Sequence, residues 1–320
     1  MNRFHQIIFS FGLGIALILF PFIPQAKAAT PNVNTRTTME FFELGVDALQ
    51  SDKYERALAD FSKAIELDAT RAAAYSNRCL VYIQLGNYEK ASEDCTIALK
   101  FNPNNAEASL NRGMAYFRLG NYPAAISEYN RAIEQQPDDL RAYYNRGLVR
   151  FEIRDFQGAL NDYNQAISKS DGGSDSRLVE VYNDRGLAEL MLGSVEDAIA
   201  DFSLAIHLDA SNHRAFYNRA CACHRMGNLL AAIRDFTAAL QLDPNHAQAY
   251  VNRGIIRHEL GLQQAALSDL KTASKHFHEQ GNRVAYQQTV ALIERLQLLL
   301  QSWEDAIADS SSYQAVQVRS

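Results

Sequence analysis

The sequence predicts an all-α chain, a solenoid of helix-turn-helix repeats, on three observations. The stretch from Asn111 to Asp139 recurs before and after itself with a period of 34 residues, a spacing that marks stacked repeat arrays. Within each copy apolar residues return at intervals of three and four, which predicts two amphipathic helices of about 12 to 15 residues and no strand. Small residues also hold fixed places in every copy, as they must where two helices approach closely.

The chain opens on a different pattern. Arg3 precedes an apolar run from Ile7 to Phe20, then Pro21 and Pro24, then Ala26-Lys27-Ala28 and Ala29. Charge, greasy stretch and small-x-small site together predict a secretory signal peptide over residues 1–28, cut after Ala28. The expected location is outside the cytoplasm, in a periplasm or an equivalent lumenal or extracellular space. The alternative is an uncleaved anchor over residues 7–23, but the apolar run is 14 residues and a span needs about 20. Residues 29–37 read as a linker.

Seven repeats follow, at 38–71, 72–105, 106–139, 140–173, 179–212, 213–246 and 247–280. The one irregular interval carries a five-residue insertion within Asp171–Arg177, where Gly172 and Gly173 predict a flexible connection between helices. Counting from the start of each repeat, position 15 is Gly86, Gly120, Gly193, Gly227 and Gly261 in five copies, as suits a left-handed residue ending the first helix, A. The second helix, B, ends near Pro103, Pro137 and Pro244, and Asn105 and Asp139 stand ready to cap the next helix A.

Position 8 is small in all seven copies (Gly45, Cys79, Gly113, Gly147, Gly186, Ala220, Gly254), and positions 20 and 27 are always Ala. Gly in a helix interior costs about 1 kcal/mol against Ala, so close approach must offset it. Large rings at position 4, such as Tyr75 and Tyr143, are expected to meet those at position 24, such as Phe61 and Tyr129. After the repeats, Val284, Tyr286, Val290, Ile293 and Leu296 predict a capping helix over 281–303. Residues 304–320 lose that period and read as a flexible tail.

Small residues at 8, Ala at 20 and 27, aromatics at 4, 17 and 24 and Pro at 32 resemble the tetratricopeptide repeat. The resemblance covers most of the chain. Ser109 at position 4, Val195, Leu229 and Gln263 at 17, and Cys95 and Leu270 at 24 depart from it. It implies a right-handed superhelix with helices A on the concave side, and a role in protein–protein interaction.

Function is therefore sought on helix A. Position 6 is Asn77, Asn111, Asn145, Asp184, Asn218 and Asn252 after Glu43 in the first copy. An Asn amide offers donors and an acceptor, enough to bond an extended backbone without reading its sequence. Position 9 shares that face and supplies Leu80, Met114 and Leu148 beside the amides. Proteins with the resembling Asn ladder hold peptides along it. The alternative is that these amides bond to a neighbouring helix and set repeat spacing. Position 7 is Arg in six copies and position 23 is acidic in all seven, the pattern of a structural ion pair within a repeat or with the preceding one. The family's carboxylate clamp needs Lys and Asn at positions that do not match here, which disfavours binding of chaperone tails.

Cys79 and Cys95 belong to facing helices of the second repeat, so they are either a disulfide or two buried thiols. Cys221 and Cys223 point apart on one helix. No cofactor, metal or catalytic set is expected: His258-Glu259 lacks a second His, and His276 and His278 diverge. With 31 basic and 37 acidic residues the net charge is −6, which argues against nucleic acid as a partner. The expectation is a non-enzymatic scaffold or assembly factor that binds an extended segment of another protein in its groove. The alternative is a scaffold that self-associates through its ends or convex face; the sequence fixes no oligomeric state.

Overall fold

A computed structural model of the chain describes residues 36–170 and 175–317, and every regular element there is an α-helix. The leader at 1–28, most of the 29–37 linker and residues 171–174 of the insertion lie outside the described residues. Seven hairpins follow in order: α1 (Thr38–Gln50) with α2 (Tyr54–Leu67), α3 (Ala72–Gln84) with α4 (Tyr88–Phe101), α5 (Ala106–Arg118) with α6 (Tyr122–Gln135), and α7 (Leu140–Glu152) with α8 (Phe156–Ser168). Then come α9 (Leu178–Leu192) with α10 (Val195–Leu208), α11 (His213–Arg225) with α12 (Leu229–Leu242), α13 (Ala247–Glu259) with α14 (Gln263–Glu279), and a last helix, α15 (Arg283–Gln317).

Local chemistry sets these boundaries. Thr37 and Glu40 form a capping box at the start of α1, and the side chains of Asn87, Asn121, Asp155 and Asn228 accept from backbone N–H groups that open helices B. Asn105, Asp139 and Asn212 do the same for helices A. In the turn between A and B, the five Gly residues at position 15 have φ of 72° to 93°. The two described repeats without Gly there put Asp52 (φ 55°) and Arg154 (φ 64°) in the same left-handed conformation, so the turn geometry prevails over residue preference.

Five of the seven hairpins close on a ring at position 24. A Cβ added to Gly45, Gly113, Gly147 or Gly186 would stand 2.7, 2.7, 2.6 or 2.8 Å from Phe61, Tyr129, Tyr163 or Phe202, and those four rings are at most 1 % exposed. The expected partnership of positions 4 and 24 is corrected in part. Ring contacts to position 24 come from position 5, as Phe42–Phe61, Tyr144–Tyr163 and Tyr217–Phe236. Position 4 instead lies under the position-7 guanidinium, as Tyr75 under Arg78 and Tyr250 under Arg253. One step along a helix turns a side chain by about 100°, so neighbouring columns face different partners.

The C-terminal expectation also needs correction. Helix α15 does not end at Trp303 but runs to Gln317; this segment has no Gly or Pro to stop it. Its packed seam is Ala285, Thr289, Leu292, Ile293, Leu296 and Leu300, while Val284 is 62 % exposed. Leu296 and its neighbours close over Val251, Leu270 and Phe277 of the seventh repeat, the covering a terminal repeat face requires.

Neighbouring helices A touch at every step, whereas neighbouring helices B do not come as close among the described residues. Each step therefore bends towards helices A, and the face they share lies inside the bend.

Candidate functional site

The inner face carries the column at position 6, and the structure divides it. In α9, α11 and α13 the side chains are tied to the repeat before. The Tyr144 hydroxyl donates to Oδ2 of Asp184 at 2.8 Å, Asn218 Nδ2 donates to Oδ1 of Asn183 at 2.9 Å, and Asn252 Nδ2 donates to the Tyr217 hydroxyl at 3.1 Å. Asn183 passes the chain on by donating to Asp184 Oδ1 at 3.2 Å. In α3, α5 and α7, by contrast, the side chains of Asn77, Asn111 and Asn145 have no hydrogen-bond partner among the described residues. Asn111 is 7 % exposed; Asn77 and Asn145 are half-buried. Along the same face Met114 is 5 % exposed, and Leu80 and Leu148 are half-buried.

Asp184 is the one acid among the bonded rungs. Burial pushes its carboxyl up to about 6, against the pull of Arg214 and of the Tyr144 and Asn183 hydrogen bonds. At position 2 the charges pair between repeats. Arg141 bonds Glu107 in the repeat before it, and Arg214 bonds Glu180 at 2.8 Å. Sequence reasoning passed over this column, although the alternation Glu107, Arg141, Glu180, Arg214 at position 2 was there to be read.

The Arg column at position 7 is structural. Arg78–Asp94, Arg112–Glu128, Arg146–Asp162, Arg185–Asp201, Arg219–Asp235 and Arg253–Asp269 pair within their own repeats at 2.6 to 2.7 Å. In each, the other arm of the guanidinium reaches back to position 25 of the preceding repeat: Ser62, Thr96, Asn130, Asn164, Ser203 or Thr237. One fork thus joins a hairpin to itself and to its neighbour. That a polar residue fills position 25 was the unread signal.

Cys79 and Cys95 are joined as a disulfide, with Cα atoms 5.5 Å apart, while Cys221 and Cys223 are free. Burial pushes the Cys221 thiol up to about 12, which leaves it little thiolate. Among the described residues no group of three His, Cys, Asp or Glu side chains is placed to hold a metal. No described helix is long and apolar enough to cross a membrane.

Family profiles match the chain at several places: "TPR repeat" over 113–153, and "Tetratricopeptide repeat" over 72–105, 144–213 and 213–246, together just over half of it. No curated protein matches the sequence. Among solved structures it is similar to a chain of the APC/C hetero-tetramer Cut9-Hcn1 (TM-score 0.61, 19 % identity), covering 69 % of this chain and 42 % of that one. This chain therefore spans less than half of that relative. It is similar too to pilF of Pseudomonas aeruginosa (TM-score 0.60, 19 % identity, 69 % of this chain and 96 % of that one). A third is YrrB, described as a TPR protein with an unusual peptide-binding site (TM-score 0.50, 20 % identity, 62 % and 99 %). At such identities the likeness is one of fold.

Proposed function

We propose that this chain, which belongs to the tetratricopeptide repeat family, holds an extended segment of another protein along the face of its helices A, as a scaffold or assembly factor without catalysis. The observation that carries this is Asn111, an almost wholly buried side chain whose amide has no partner among the described residues. Its amide atoms are not among the sealed, unpartnered polar atoms, so they face the open inner surface, where a guest backbone offers both the donor and the acceptor they lack. Asn77 and Asn145 repeat the arrangement on either side. The peptide-binding site named for YrrB agrees with such a use of the fold. The apolar leader, and the Cys79–Cys95 disulfide that an oxidising compartment would preserve, support a place outside the cytoplasm.

The test is photocrosslinking in cells that export the protein. A photoreactive residue at Glu152, exposed on helix A, is expected to capture a partner chain, and one at Glu93, exposed on helix B, is expected to capture none. Crosslinks from Glu93 alone would remove the inner-face reading. Val284 and Leu298 stand 62 % and 69 % exposed on α15, which favours end-to-end self-association as the second reading. Light scattering separates the two, since a monomer at all concentrations leaves only the first.

A further inference from the structure

We infer that the guest-holding stretch is confined to α3, α5 and α7, and that the remaining rungs of the ladder are struts between repeats. This rests on the inner-face reading above and narrows it. What decides between the two kinds of rung is the residue at position 5 of the preceding repeat. Before Asp184, Asn218 and Asn252 that residue is Tyr144, Asn183 and Tyr217, each with a polar tip within hydrogen-bond reach. Before Asn77 and Asn145 it is Phe42 and Leu110, which offer no hydrogen-bonding group. Before Asn111 it is Ser76, buried to 6 % exposure and not bonded to it.

The free amides are not sealed in. None of their side-chain atoms is among the buried polar atoms that lack a partner, so they meet solvent at the inner face. Neighbouring helix axes lie about 10 Å apart, which is about three residues of extended chain. Three consecutive amides therefore meet main-chain groups about three residues apart, and a segment of about seven residues covers them. Beside them Glu107 and Arg141 neutralise each other, so the strip selects for extended backbone and apolar side chains rather than charge. The partner that fits is a short, unstructured segment with apolar residues facing Leu80, Met114 and Leu148.

The probe is a peptide chosen on the full chain from a displayed library of random twelve-residue sequences, its affinity followed by fluorescence anisotropy. Asn111→Ala with Asn145→Ala is expected to weaken binding about tenfold, the loss of two hydrogen bonds, at an unchanged melting temperature. Asn218→Ala with Asn252→Ala is expected to lower the melting temperature and leave affinity within about twofold, because it removes struts and no guest contact. If that variant fails to fold, Tyr217→Phe keeps the ring, removes only the hydroxyl, and must likewise leave affinity unchanged. Equal loss in both pairs, or loss in the second alone, overturns the partition and leaves the inner-face reading standing. Unchanged affinity in both pairs, or a library with no binder, overturns the two together.

Discussion

Gly113 lies against the ring of Tyr129, so close that a Cβ on it would stand 2.7 Å from Cε1. The ring is 1 % exposed and has no room to yield. In an open helix Gly→Ala gains about 1 kcal/mol, but here overpacking opposes it by about 1–3 kcal/mol. Gly113→Ala is expected to destabilise by about 1 kcal/mol. At Gly254 the nearest atom is Leu270 Cγ at 3.2 Å, and Gly254→Ala is expected to be close to neutral. Denaturant midpoints for the two variants check this, and the reverse order would refute the close-packing account of position 8.

Arg154 occupies the turn between α7 and α8 with φ of 64°, where a side chain costs about 1–2 kcal/mol. Gly removes that strain while adding some unfolded-state entropy, so Arg154→Gly is expected to stabilise by about 0.5–1 kcal/mol. The converse is Gly120→Ala. Its Cβ would meet nothing within 4 Å, so any destabilisation there is conformational. A melting temperature that moves the same way in both would mean that the turn is not strained.

The disulfide between Cys79 and Cys95 spans 16 residues and ties α3 to α4. Closing a loop of that length in the unfolded chain contributes about 3 kcal/mol. Cys79→Ala with Cys95→Ala is expected to cost about that much. In protein made in an oxidising compartment and denatured without reductant, alkylation is expected at Cys221 and Cys223 and not at the other pair. Four alkylated cysteines would show that the bond does not form there.

The helices were legible because their signals are local. Caps such as Asn105 and Asp139 and the Gly at position 15 act within one turn, and they place the helix starts of most repeats at the first residue of the period. The division of position 6 was not legible column by column, because it depends on position 5 one repeat earlier: Asn218 on Asn183, and Asn252 on Tyr217. Periodicity shows what recurs in one column, whereas a bond between two columns appears only when they are read in pairs. The seam of α15 was legible only in part, with Ile293 and Leu296 packed as expected but Val284 and Tyr286 exposed, for a related reason. With no following repeat to fix its phase, several apolar stripes fit, and packing against α14 selects the one through Leu296.

His246 caps α13 through Nδ1, which accepts from the Ala249 N–H at 3.2 Å. A protonated ring has no acceptor and must lose that bond. Burial holds its pKa below the usual 6.5, with Asp243 pulling upwards and His213 downwards, and Tyr217 stacked on the ring at 4.6 Å. Above about pH 6.5 the ring is neutral in both folded and unfolded chains. Below it the unfolded chain takes the proton first, so stability falls as the pH drops towards the lower folded value. His246→Asn, the cap used by Asn105 and Asn212, is expected to remove this component. The gap in melting temperature between variant and parent should widen from pH 7.5 to pH 5.5, and a constant gap would count against the cap.

Glu189 carries the opposite sign. It stands at position 11 of the fifth repeat, where Arg150 and Arg257 in the fourth and seventh bond Asp162 and Asp269 at 2.8 Å. Burial first, then the nearby Asp201, pushes the Glu189 carboxyl up from 4.5 to about 7, and its Oε2 is buried without a hydrogen bond. A carboxyl raised on folding resists ionisation in the native chain. Stability is therefore full below about pH 4.5 and is lost as the pH rises through about 7. Glu189→Gln is expected to raise the melting temperature at pH 8 and to leave it unchanged at pH 4. Glu189→Arg is expected to raise it further at pH 8, because a second guanidinium would then reach Asp201 as Arg150 and Arg257 reach their acids. Failure of Glu189→Gln to gain at pH 8 would mean that this carboxylate is ionised without penalty, and the Arg variant's gain would then be attraction alone.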